Sequence, residues 1–168
     1  MGTTTIQGMC SDKVITCAKV LADKKLQIAF VESATAGRMC SEFALTEFSG
    51  DVLSGGISCY SVSVKKQVLN VPEHLIKTCT PESAEVTKAL AQEGAKLFKS
   101  DVTAAITGLT CPGGSENAEK PVGTIFLHII FNDGEIAHRE VFDGAASEII
   151  MHAIDRTSEI ITNHLLNR

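Results

Sequence analysis

The sequence predicts an α/β fold, a single three-layer α/β/α domain with a mixed β-sheet. Apolar strand-like segments alternate with segments whose apolar residues recur at helical spacing. Residues 102–106 are apolar except for Thr103, as a strand covered on both faces by helices would be. Late in the chain, Asn132-Asp133-Gly134 separates two strand-like runs, which signals one antiparallel hairpin. At 168 residues and 44% hydrophobic content the chain suits one domain with a proper core.

The elements follow in order. Residues 1–10 read as a disordered or loosely ordered start, and 11–168 as the folded domain. Ser11 and Asp12 cap a first helix whose stripe is Val14, Ile15, Cys17, Ala18, Leu21 and Ala22. A strand over 26–32 ends at Ser33, and a helix over 35–47 carries Met39, Cys40, Phe43 and Ala44 until Gly50-Asp51 breaks it. A second strand-like segment runs from Gly56 to Ser61, followed by a short helix over 62–69 and a brief one over 73–77. Thr80 as N-cap and Pro81 at the first helical position open a long helix to about residue 99. After strand 102–106 comes the longest irregular stretch, 108–121, rich in Gly, Pro, Ser and Asn, a composition and placement typical of functional loops. Strands 122–131 and 135–142 and a helix over 145–166 complete the chain.

Composition narrows the function classes. A net charge of -5 with scattered Lys and Arg lacks the basic face of a duplex nucleic-acid binder. No apolar run reaches membrane-spanning length, the first residues lack the build of a signal peptide, and Ile6 stands where a myristoylation motif wants Ser or Thr. Cysteines at 10, 17, 40, 59, 79 and 111 form no Cys-x-x-Cys pair and no zinc-ligand spacing with histidine. They read as reduced, mainly buried thiols of a cytoplasmic protein, with no metal and no cofactor.

The chemistry-bearing residues gather at expected strand ends, where ligands collect in parallel α/β sheets. Ser33 follows a strand and precedes a helix, so its hydroxyl sits beside backbone N–H groups that can hold an anion or oxyanion. The histidines show no spacing that identifies a base, and no Gly-x-Ser-x-Gly elbow is present. Lys65 is the better base, because a buried lysine shifts toward neutrality and Ser-Lys pairs are a variant of triad logic. Tyr60, the one tyrosine, lies five residues before it. Thr107, Gly108 and the run Pro112-Gly113-Gly114-Ser115 offer backbone donors, and Lys120 adds a positive charge where the loop returns.

Each position also has a plainer reading. Ser33 alone suits an N-cap, Tyr60 a strand residue, Lys65 a solvated helix charge, and Pro112-Gly113-Gly114 a turn. A cysteine hydrolase using Cys111 or Cys59 lacks a recognisable histidine partner. The functional reading rests on joint placement.

The stretch Val31-Glu32-Ser33-Ala34-Thr35-Ala36-Gly37 resembles the Glu-Ser-x-Thr-Gly-Gly signature of the CinA C-terminal domain family, the pyridine nucleotide amidohydrolases. Gly56 through Tyr60-Ser61 to Lys65 and Leu69-Asn70-Val71 resembles its second motif, and Ile106-Thr107-Gly108 through Pro112-Gly113-Gly114 to Lys120-Pro121-Val122-Gly123 its third. The resemblance implies metal-free hydrolysis of the carboxamide of nicotinamide mononucleotide to nicotinate mononucleotide and ammonia. It implies Ser33 as nucleophile, Lys65 and Tyr60 as base and proton-relay partners, and substrate binding by Thr35, Ala36, Gly37, Thr107, Gly108, Pro112, Gly113, Gly114 and Lys120. It further implies a homo-oligomer, and a stand-alone form of a domain also found fused behind a larger one.

The chain departs from the family pattern at several places. Ala36 stands for a glycine, Val62-Ser63 for Asn-Glu, and Cys111 for glycine, while the loop before Glu119 is one residue longer. Ala145-Ala146 and Ile150 stand where the family carries Asp-Arg and a further Arg. These departures keep two readings open: an amidohydrolase on a pyridine nucleotide, or an inactive or altered-specificity nucleotide-binding relative.

Overall fold

The computed structural model describes residues 10–167. The expectation for the first ten residues therefore lies outside the described part except at Cys10, which is buried.

Helix α1 (Asp12–Asp23) begins where predicted, with Ser11 Oγ accepting from the Val14 N–H. Strand β1 (Ile28–Glu32) leads through a turn into α2 (Arg38–Ala44), the short α3 (Ser49–Val52) and β2 (Leu53–Ser58). Helices α4 (Val62–Gln67), α5 (Glu73–Cys79) and α6 (Ala84–Phe98) precede β3 (Val102–Gly108). The hairpin β4 (Thr124–Phe131) and β5 (Gly134–Val141) is followed by the 21-residue α7 (Ala146–Leu166).

The strand order is β2-β1-β3-β4-β5, with β1 parallel to both β2 and β3 and the rest antiparallel. The chain thus moves from β1 to one side and returns to β3 on the other. That reversal leaves a crevice beyond the carboxyl end of β1, the switch point of an α/β sheet.

Side-chain alternation along the central strands divides the core. Ile28 and Phe30 of β1 and Ala104 and Ile106 of β3 face α1, α2 and α7, while Val31 and Ala105 face α6 and the segment around Leu69 and Ile76. Phe30 is fully buried with its ring centroid 4.8 Å from that of Phe43, and a side chain so buried contributes about 1.5–3 kcal/mol. The α/β class and mixed sheet stand as predicted.

Several boundaries differ from expectation: β2 runs over Leu53–Ser58 rather than 56–61, so Tyr60 and Ser61 lie beyond the strand, and three further differences involve helices. The second helix starts at Arg38 rather than 35, because Ala36 and Gly37 turn through positive φ. It ends near residue 45, where Thr46 Oγ1 donates to the Phe43 carbonyl, and Gly50-Asp51 belongs to the turn of α3. The N-cap of α6 is Ser83, whose Oγ accepts from Val86 N–H, not Thr80. Thr80 instead closes α5 at φ 70°, and its hydroxyl accepts from Lys120, so Thr80-Pro81-Glu82 forms a corner beside the crevice.

Candidate active site

Ser33 closes β1: its N–H donates to the Ile106 carbonyl at 3.0 Å, so the β1–β3 ladder continues into the residue. On the other side, Cys59 N–H donates to the Glu32 carbonyl at 2.7 Å, which extends the β1–β2 ladder. These two bonds hold the start of the turn rigidly.

The turn after Ser33 is shaped by Glu32. Its carboxylate, 1% exposed, accepts from the N–H groups of Gly37 and Met39 through Oε2 (2.9 and 3.0 Å) and of Cys40 through Oε1 (2.8 Å). A carboxylate at a helix N-terminus satisfies orphan donors and the dipole together. The expected anion site at the start of α2 is therefore already filled by the chain itself. An acidic residue at the end of an otherwise apolar strand was the signal for this role, since a buried charge requires partners.

Lys65 reaches in from α4. Its Nζ lies 2.8 Å from Ser33 Oγ, 2.7 Å from the Cys59 carbonyl oxygen and 3.2 Å from that of Tyr60. The side chain is 1% exposed, and burial pushes its pKa below the usual lysine range, while Cys59 and Glu82 pull weakly the other way. A neutral amine donates two N–H bonds and keeps one lone pair. As placed, Nζ donates to both carbonyls and to Ser33 Oγ; once deprotonated it would offer its lone pair to the Ser33 hydroxyl.

Tyr60 differs from its expected relay role. Cys59 turns inward and is fully buried, so the next residue turns outward, and Tyr60 is 67% exposed on the cleft rim. Its carbonyl, not its hydroxyl, contacts Lys65, and no hydrogen bond reaches the phenol among the described residues.

The cleft holds about 230 Å³. Ser33, Ala34, Tyr60 and Glu82 line it together with the loop from Gly108 to Gly114, so Gly108, Pro112, Gly113 and Gly114 share one cleft with Ser33. Gly108 lies so close to β4 that a Cβ would sit 2.6 Å from the Thr124 carbonyl oxygen. Thr35, Ala36 and Gly37 form the turn behind Ser33 and do not line the cleft. Thr35 is buried with its Oγ1 unpartnered. Thr107 is fully buried, hydrogen-bonded to Thr87 Oγ1 at 2.7 Å, and does not line the cleft.

Lys120 is also placed differently. It lines the neighbouring groove, and its Nζ donates to Thr80 Oγ1 (2.6 Å), the Glu82 carbonyl (2.8 Å) and Ser115 Oγ (2.7 Å). Three protons meet three acceptors, so Lys120 ties the loop to the α5–α6 corner. Glu82 was missed in the sequence because that corner read as a helix start. Its Oε2 accepts from Ser115 Oγ at 2.5 Å, and the residue lines both the cleft and the neighbouring groove.

Cysteines 10, 17 and 59 are buried, 40 and 79 partly so, and Cys111 is exposed on the cleft wall. Burial pushes the Cys17 thiol up to about 12. Among the described residues no cluster of His, Cys, Asp and Glu has metal-binding geometry, and no helix is long and apolar enough to cross a membrane.

The fold is an α/β domain that brings a serine at the carboxyl end of a central parallel strand into hydrogen-bond contact with a buried lysine. The family model for the CinA C-terminal domain matches residues 12–165, and the chain belongs to that family. A CinA-like protein of Prochlorococcus marinus subsp. pastoris is 33% identical over 132 residues, 78% of this chain and 30% of that protein. A CinA-like protein of Thermotoga maritima is 31% identical over 150 residues, 89% of this chain and 36% of that protein. The chain thus spans about a third of the length of these curated relatives. Among solved structures, a CinA superfamily protein from Klebsiella pneumoniae superposes with a TM-score of 0.87 at 19% identity, covering 93% of this chain and 97% of that one. A competence/damage inducible protein from Agrobacterium tumefaciens gives 0.84 at 22% identity, covering 94% and 98%. At such identities the likeness concerns the fold.

Proposed function

We propose that this domain is an amidohydrolase that cleaves the carboxamide of nicotinamide mononucleotide or a near analogue to the carboxylate and ammonia. The observation that carries the reading is the 2.8 Å contact between Lys65 Nζ and Ser33 Oγ inside a desolvated pocket open on one side to the cleft.

Neutral Lys65 takes the proton of Ser33 as Oγ attacks the amide carbon, and the carbonyl π electrons move onto oxygen. The backbone N–H of Ala34, the residue after the nucleophile, would receive that oxyanion. Lysine then returns the proton to the amide nitrogen, the C–N bond breaks and ammonia leaves an acyl ester on Ser33. Water attacks the ester with Lys65 again as base, which releases the carboxylate and restores the hydroxyl. The Cys59 and Tyr60 carbonyls hold the amine in one orientation throughout.

Ammonia release from purified protein given nicotinamide mononucleotide or nicotinamide riboside tests the reading, with Ser33→Ala run beside it. Turnover abolished in the variant supports it, whereas turnover unchanged by Ser33→Ala, or no turnover of either amide, rejects it. Binding without turnover would favour the alternative of a non-catalytic relative.

A further inference from the structure

The turn Pro112-Gly113-Gly114 already holds an anion that belongs to the chain. Gly113 stands at φ 102°, and its N–H donates to Glu116 Oε1 at 2.7 Å. The other carboxylate oxygen lies against Gly114: a Cβ there would sit 3.6 Å from Glu116 Oε2, and only 2.6 Å from Leu109 Cδ2. The N–H of Gly113 foremost, then that of Glu116 itself and, more weakly, that of Gly114 hold the Glu116 carboxyl below the usual carboxylate range. Backbone amides that share one anion form a nest, and a nest receives carboxylate and phosphate through the same donors. Gly113 and Gly114 also line the cleft that holds Ser33, so the nest borders the space a ligand of Ser33 would fill.

Two carboxylates cap backbone amides around this cleft, and burial separates them. Glu32 is buried and cannot leave without stranding buried donors. Glu116 is exposed, so its carboxylate exchanges the nest for water at little cost. It also lies in the part of the loop that is one residue longer than the family pattern. Lys120 Nζ, held on Ser115 Oγ at 2.7 Å, brings positive charge to the residue directly after the turn. Glu82 on the same wall is compensated, because both Lys120 and Lys65 lie within range of its charge. A phosphate entering the nest therefore replaces one anion by another.

We propose that Glu116 is an internal stand-in for substrate phosphate: its carboxylate fills the Gly113-Gly114 nest in the free chain, and a phosphomonoester on a ligand whose carboxamide lies at Ser33 displaces it. Glu116 thus sets the affinity for the phosphate end of the ligand and leaves the amide end unaffected. The proposal rests on the amidohydrolase reading for what lies at Ser33, but exchange of carboxylate for phosphate is a property of the loop with or without turnover.

The test is binding to the full chain carrying Ser33→Ala, by titration calorimetry with nicotinamide mononucleotide and nicotinamide riboside. Adding Glu116→Ala, which empties the nest, should tighten binding of the mononucleotide about tenfold, the worth of a charge-assisted hydrogen bond released to the ligand. Binding of the riboside, which has no phosphate, should change less than about twofold. Glu116→Gln keeps an acceptor oxygen for Gly113 without the charge, and should fall between Ala and the parent chain. Glu119→Gln removes a carboxylate from the same loop that lines only the neighbouring groove, and should change mononucleotide binding less than about twofold because an exposed charge is screened. The amide resonances of Gly113 and Gly114 should shift on addition of the mononucleotide and stay in place with the riboside. Equal gains from Glu116→Ala and Glu119→Gln, equal gains for mononucleotide and riboside, unmoved glycine amides, or no binding of the mononucleotide by any variant would each overturn the proposal. Ammonia release by the wild-type chain is scored separately. A phosphate-selective gain without ammonia removes the amidohydrolase reading and leaves the exchange standing, whereas turnover without that gain does the reverse.

Discussion

Lys65 Nζ meets Ser33 Oγ at 2.8 Å across 32 positions of sequence, and the same nitrogen is held by the carbonyl oxygens of Cys59 and Tyr60. The contact joins a helix residue to a strand end, so it depends on α4 docking against the β1–β2 edge.

Activity should therefore rise with pH along an acid limb set by Lys65. Burial lowers its pKa, so protonation of the base, and loss of kcat/KM, occur below the ordinary lysine range. Lys65→Met keeps the volume and removes the lone pair, and kcat should fall about 10²–10⁴-fold. Linkage gives a second readout. A lysine with a depressed folded pKa binds fewer protons folded than unfolded, so stability is lost as pH falls from the ordinary lysine value of 10.5 through the folded pKa. Chemical denaturation across that window should show wild type gaining stability with pH relative to Lys65→Met. A flat difference would mean that the amine stays charged.

Glu32→Ala should cost about 3 kcal/mol or more in urea unfolding, because it strands the N–H groups of Gly37, Met39 and Cys40 at the buried start of α2. Glu32→Gln retains one acceptor oxygen and should fall between Ala and wild type. A loss below about 1 kcal/mol for Ala would mean that water takes over the cap.

Ala36 holds φ 49°, a left-handed conformation that an L-residue adopts at a cost. Ala36→Gly should stabilise the fold by about 0.5–1 kcal/mol, the relief of strain outweighing the added freedom of the unfolded chain. The thermal midpoint should rise accordingly.

Lys120→Met should raise KM about tenfold with little change in kcat, because loop 109–121 loses its tie to Thr80, Glu82 and Ser115 without loss of the nucleophile pair. Limited proteolysis within that loop should accelerate in parallel. A fall in kcat with KM unchanged would assign Lys120 to the chemistry instead.

Much of this was legible along the chain. Apolar runs placed the central strands to within a few residues, Asp133-Gly134 placed the hairpin, and Ser11 placed the first cap, because each is a signal written within a few neighbouring residues. Ser33, Lys65 and the Gly108 to Gly114 loop were singled out as a set and do meet at one end of the sheet. Thr80 misled because its local pattern, a hydroxyl before Pro and Glu, fits an N-cap as well as Ser83 does. What decided between them was Lys120, 40 positions away, which takes the Thr80 hydroxyl.

The sequence by itself determined the fold class, the order of elements and the candidate residues Ser33 and Lys65, since these rest on residue type and short-range period. Tertiary structure alone decided which polar groups remain open to a ligand. Helix N-terminus, glycine loop and lysine all looked like anion holders as a sequence, but Glu32, Glu116 and the Thr80–Glu82–Ser115 corner had already filled them. The reason is that a buried donor must find an acceptor, and which acceptor it finds depends on distances that exist only once the chain is folded.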